Sequence, residues 1–97
     1  MITIDKILTV VCNEYGIGRE KLGSYCHEQY MDARCIAIQL CLEYKKTQNA
    51  MRDMINISLD QIKYASKRFS KRMNDAEFYS RYTSVSKTLQ KGGKACS

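Results

Sequence analysis

The chain has 97 residues, of which 44% are hydrophobic and 27% charged, and it carries a net charge of +6. That length fits a single core, and folding at this size removes about two thirds of the unfolded chain's surface, enough to dispense with disulfide or metal staples. The composition excludes a disordered chain, and no segment approaches the roughly 18 unbroken apolar residues of a membrane span.

Proline is absent and glycine is sparse before the tail, which favours helices over a turn-rich β fold. Thr3 is placed to cap a first helix whose apolar positions Ile4, Ile7, Leu8, Val11 and Tyr15 keep the 3.6-residue period, with Gly16 ending it. Ile17 to Gly23 reads as one short helix anchored by Ile17 and Leu22. Gly16, Gly18 and Gly23 do not have the G-x-G-x-x-G spacing and follow a helix, so they are punctuation and not a phosphate loop. Ser24 to Glu28 reads as a loop. A long helix is expected from Gln29 to Lys46, with a stripe of Tyr30, Ala33, Ala37, Leu40 and Tyr44 widened by Ile36 and Cys41, and with Lys45 and Lys46 in its last turn. This is the candidate central helix.

Gln48 to Met54 is expected to form a short helix. After Ile55-Asn56-Ile57, where Asn56 suits a left-handed turn, Ser58-Leu59-Asp60-Gln61 has the pattern of a capping box. The helix it opens, Leu59 to Met73, has an inner stripe of Leu59, Ile62, Ser66, Phe69 and Met73. Its outer face carries Asp60, Lys63, Tyr64, Lys67, Lys71 and Arg72, with Gln61 and Arg68 at the flanks. A second box, Asn74-Asp75-Ala76-Glu77, opens a final helix striped by Phe78, Tyr82, Val85 and Leu89. The expected fold is all-α, a compact bundle of five to six helices containing a helix-turn-helix. Residues 1–91 would form one helical domain and residues 92–97 a flexible tail.

The five cysteines, Cys12, Cys26, Cys35, Cys41 and Cys96, are odd in number and contain no C-x-x-C pair, as expected of reduced thiols. Cys26-His27 is a poor chelate without two further ligands, so no metal is expected, and Cys12, Cys35 and Cys41 read as small core residues. The apolar run Ile7 to Cys12 follows Asp5 and precedes no small-residue cleavage site, so the expected location is the cytoplasm. With one histidine, no relay beside it and no paired carboxylates, an enzyme is not expected. No cofactor is expected either, and no nucleotide, since G-x-x-x-x-G-K-[ST] does not occur.

Charge is unevenly placed. Met1 to Asp60 holds seven Lys/Arg against eight Asp/Glu, whereas Gln61 to Ser97 holds nine against two. A field concentrated in this way attracts polyanions and releases their counterions. Gln48 to Met73 also has the layout of a helix-turn-helix, whose second helix lies in the major groove with its leading residues at base edges. Those residues would be Asp60, Gln61 and Tyr64, with Lys63, Lys67, Arg68, Lys71 and Arg72 holding phosphate. Gln suits adenine, Asp suits cytosine, and Lys or Arg suits guanine or phosphate. Set against this, Gln61 also serves as a cap and Tyr64 as a half-buried packing residue.

Residues 2–89 resemble the C-terminal DNA-binding domain of DnaA-type bacterial replication initiators, a Trp-repressor-like helical fold. Ile4 to Tyr15-Gly16-Ile17 is similar to that family's opening helix, and Leu22 to the anchor that follows. Ala33-Arg34-Cys35-Ile36-Ala37-Ile38-Gln39-Leu40-Cys41 is similar to its long-helix segment, and Ile62-Lys63-Tyr64-Ala65 to its recognition-helix stretch. The resemblance implies double-stranded DNA as partner and a minor-groove role for Arg34. The chain departs from the family where Arg-Asp-His-Thr would stand, since it has Ile57-Ser58-Leu59-Asp60. It departs again in Tyr25 to Asp32, which holds Glu28 and Asp32 and no Lys or Arg. The expectation is therefore a divergent, stand-alone relative that binds duplex DNA away from the usual initiator box. The alternative is a protein-interaction module that kept the fold and lost DNA recognition.

Overall fold

The computed structural model describes residues 2–22, 28–55 and 57–95, the last five for their backbone alone. Helix α1, Ile4–Tyr15, begins where the Thr3 hydroxyl accepts the Lys6 amide at 3.1 Å. It ends on Gly16, whose φ of 66° turns the chain, so that the amides of Gly16 and Ile17 reach back to the carbonyls of Asn13 and Cys12. This Schellman closure satisfies carbonyls that the end of the helix would leave bare. A single 3-10 turn, Arg19–Lys21, follows and delivers Leu22 into the core.

Helix α2, Glu28–Glu43, is apolar almost all round: Ala33, Cys35, Ile36, Ala37, Ile38, Leu40 and Cys41 are all buried. It is the central helix that the sequence suggested, but it stops about three residues earlier than expected. The Lys45 amide bonds to the Leu42 carbonyl and the Lys46 amide to the Cys41 carbonyl, which is the same Schellman closure as in α1, with Lys45 at φ 64° in the glycine position. Lys45 and Lys46 therefore belong to the closing turn and not to the helix.

Helix α3, Gln48–Ile55, buries Met51 and Ile55, and Ile57 and Ser58 lead into α4, Leu59–Arg72. The expected capping box is formed in full. Ser58 Oγ accepts the Gln61 amide at 3.2 Å, and Gln61 Oε1 accepts the Ser58 amide at 2.8 Å. The inner side of α4 is Ile62 and Ala65, with Phe69 and Met73 partly covered. Leu59, expected in the stripe, is exposed.

Helix α5, Ala76–Ala95, is capped by Asp75 and not by Asn74: Asp75 Oδ1 accepts the Phe78 amide at 3.0 Å. That hydrogen bond holds the Asp75 carboxyl below its usual pKa. Glu77 reaches forward to Arg81 at 3.4 Å and closes no box. The Phe78, Val85 and Leu89 stripe is buried and Tyr82 is half-buried. The helix runs through Gly92 and Gly93 to Ala95 where a frayed tail was expected. Two glycines weaken a helix by about 1 kcal/mol each, but no proline stands there to stop it.

The described residues thus form five α-helices and no strand, with a radius of gyration of 12.4 Å. α2 packs most extensively on α4 and α1, and α5 closes over α1. No described helix is long and apolar enough to cross a membrane. Most of the expected loop, the Cys26-His27 pair, Asn56 and Cys96 lie outside the described residues. A lysine in the left-handed region is strained where glycine is not. Lys45→Gly is expected to stabilise the fold by about 0.5–1 kcal/mol in urea unfolding, with the m-value unchanged.

Candidate nucleic-acid interface

The α2–α4 contact is organised by a buried carboxylate. Asp32 is 6% exposed and lies in the second turn of α2, where α4 crosses it. Arg68 Nε and Nη2 donate to Asp32 Oδ1 at 3.2 and 3.0 Å. Arg72 Nε donates to Oδ1 at 3.2 Å and its Nη2 to Oδ2 at 2.9 Å. Arg72 also lies 3.5 Å from Asp75 and 5.4 Å over the Phe78 ring, so the clamp extends to the start of α5. The hydrogen bond to Asp32 raises the Arg72 pKa above its ordinary value. Deeper along the same contact the Cys35 thiol lies 3.0 Å from the Ala65 carbonyl. The pairings 32 with 68 and 72, and 35 with 65, make α2 and α4 antiparallel.

This clamp fixes the rotation of α4 about its axis. Residues that face α2 are Ile62, Ala65, Arg68, Phe69 and Arg72. Half a turn away, Lys63, Lys67 and Lys71 stack at i, i+4 and i+8, with Asp60 and Tyr64 beside them. All five are exposed, Tyr64 at 56%, and the three lysines pair with no carboxylate among the described residues. Asp60 likewise has no partner there.

The structure therefore brings Asp60, Lys63, Tyr64, Lys67 and Lys71 together on one outward face. Arg72, expected on that face, is turned inward by Asp32, and Arg68 with it, because a buried carboxylate draws the nearest guanidiniums. Gln61 is exposed, but its Oε1 is held by the Ser58 amide, so only its NH2 is available and bidentate reading of adenine is not. Arg34 is not gathered into the stripe. It sits about 200° round α2 from Asp32, with Nη1 3.4 Å from the Leu22 carbonyl.

Sequence reasoning missed Asp32. The only trace was an aspartate within a span otherwise supplying the most buried helix, four turns of which carry apolar residues on every side. It also missed Arg81, which sits 4.6 Å over the Tyr15 ring and bonds the Glu14 carbonyl at 2.9 Å, tying α5 to the end of α1. Beside these arginines a recess of about 380 Å³ is edged by Glu28, Asp32, Asp75 and Glu77. Arg72 and Arg81 also line it, but four carboxylates against two guanidiniums make it a poor seat for phosphate. Among the described residues no three His, Cys, Asp or Glu side chains gather as a metal site.

No protein-family model, no curated protein and no solved structure matches this chain.

Asp32→Ala leaves two half-buried guanidiniums without their anion. Removing one partner of a buried pair costs about 3–5 kcal/mol, and the wet edges of Arg68 and Arg72 bring this case somewhat below that range, to about 2–3 kcal/mol in chemical denaturation. Burial pushes the Cys35 thiol up to about 12 and Cys41 up to about 11. At pH 8 both are expected to resist iodoacetamide in the native protein and to label on unfolding, as read by peptide mass mapping.

Proposed function

We propose that the chain binds double-stranded DNA by laying the outer face of α4 in the major groove, as a divergent initiator-like helix-turn-helix domain with a replication or regulatory role in the cytoplasm. One observation carries the reading: Lys63, Lys67 and Lys71 form an exposed ladder of like charges, and among the described residues none of the three is ion-paired, although Asp60 lies on the same face. Such i, i+4 pairs destabilise a helix by about 0.2–0.5 kcal/mol each, a burden that phosphate neutralisation relieves. Tyr64 stands within the ladder as an exposed aromatic of use to a base or sugar edge, and Asp60 at the leading end accepts from a cytosine amino group. The resemblance to the DnaA-type domain supports the same reading, with the loss of Arg-Asp-His-Thr implying a different target sequence.

The second reading, a protein-interaction module, is favoured by the exposed Tyr79 on α5, which with Thr83 and Lys87 edges a shallow groove away from the lysine face. Enrichment of one partner from nuclease-treated lysate, with no duplex binding at low salt, supports that reading against the first.

Three lysine contacts predict a slope of about −3 in log affinity against log salt for a random-sequence duplex. Lys67→Glu is expected to weaken binding to every sequence, yet to raise stability by about 1–2 kcal/mol, because it replaces two repulsive pairs with two attractive ones. Gln61 keeps only its NH2 for a base edge, so Gln61→Ala is expected to change sequence preference slightly and to leave the sequence-independent affinity and its salt slope unchanged. Equal loss of affinity in the two variants, or a flat salt dependence of the wild type, contradicts the assignment.

A further inference from the structure

We infer that Asp32 withholds Arg68 and Arg72 from the duplex, and so limits the sequence-independent part of binding to the three lysines of α4; the inference rests on the DNA-binding reading above. Helix α4 carries five cations, and in sequence all five look equally suited to phosphate. The geometry divides them. Four guanidinium N–H groups converge on the two oxygens of one carboxylate at 2.9–3.2 Å, and the Asp32 side chain is only 9% exposed. For either arginine to reach a phosphate, it must leave a buried anion with half its partners, which the new contact has to offset before any affinity is gained. The lysines face no such exchange.

The consequence is a lower non-specific affinity than the charge of the helix implies. Each phosphate neutralised contributes about 0.9 to the salt slope, so two silent arginines remove about 1.8 from it. Between 50 and 200 mM salt that difference amounts to about tenfold in affinity for random DNA. Asp32 thus acts as a positioning residue that tilts binding from phosphate count toward what the exposed face reads.

The test uses the full chain, labelled with ¹⁵N and titrated with a random-sequence duplex two helical turns long. The Nε–H resonances of Arg68 and Arg72 are expected to stay in place while the backbone amides of Lys63, Lys67 and Lys71 shift. Arginine resonances that move with the lysine amides overturn the inference and leave the DNA reading intact. No shift anywhere at saturating duplex overturns the DNA reading and the inference with it. Salt titrations give an independent readout: Arg68→Gln is expected to keep the wild-type slope and Lys67→Gln to lose about 0.9 of it, while Asp32→Asn steepens it by up to about 2. If Asp32→Asn does not fold, the Arg68 and Lys67 variants decide alone, and equal loss of slope in those two refutes the lock.

Discussion

An aspartate inside a helical bundle cannot be left as an unpaired anion, since the penalty for a desolvated carboxylate is several kcal/mol. Asp32 sits where α2 is covered by α4, and it is neutralised by Arg68 and Arg72, one helical turn apart on α4. That single requirement sets the rotation of α4. With residues 68 and 72 facing α2, Ile62, Ala65 and Phe69 fall toward the core, Lys63, Lys67 and Lys71 fall on the far side, and Tyr64 lies exposed at the flank between the two. Arg72 carries the constraint onward to Asp75 and Phe78, so the start of α5 is registered against the same carboxylate. The outward lysine ladder is thus a by-product of how one buried charge is satisfied.

The positive charge after residue 60 divides into two populations with different physics. Arg68, Arg72 and Arg81 are planar donors that bind carboxylates, a carbonyl and ring faces, and they join helices to one another. The lysines on α4 are compact, hydrated charges that form no ion pair among the described residues, left available to an external partner. A net charge is silent about this division, because it adds guanidiniums that are already neutralised to ammoniums that are not.

Helices were legible in the sequence wherever local chemistry decides the outcome. Thr3 and Ser58 cap as their spacing implied, Gly16 terminates α1, and the stripes of α1 and α5 are buried. Legibility failed where a tertiary contact overrides a local preference. The box spacing assigns the cap to Asn74, yet the Phe78 amide and Arg72 both turn to Asp75. Lys45 reads as a C-terminal helix cation, yet it occupies a left-handed closure because the chain must turn into α3 there. Arg72 falls on the outer face by periodicity alone, and only the burial of Asp32, a feature with no local signature, shows that its side chain folds back. The candidate face was therefore half legible: its lysines follow from helical spacing, whereas the removal of two arginines from it follows from a residue 36 to 40 positions away.

Lysine acetylation footprinting shows whether the exposed ladder of α4 is the surface that meets DNA. With a duplex bound, Lys63, Lys67 and Lys71 should be protected from acetic anhydride while Lys6 and Lys21, on the α1 side of the molecule, react at the same rates as without DNA. Uniform reactivity across all five lysines, or protection confined to Lys6 and Lys21, contradicts the account.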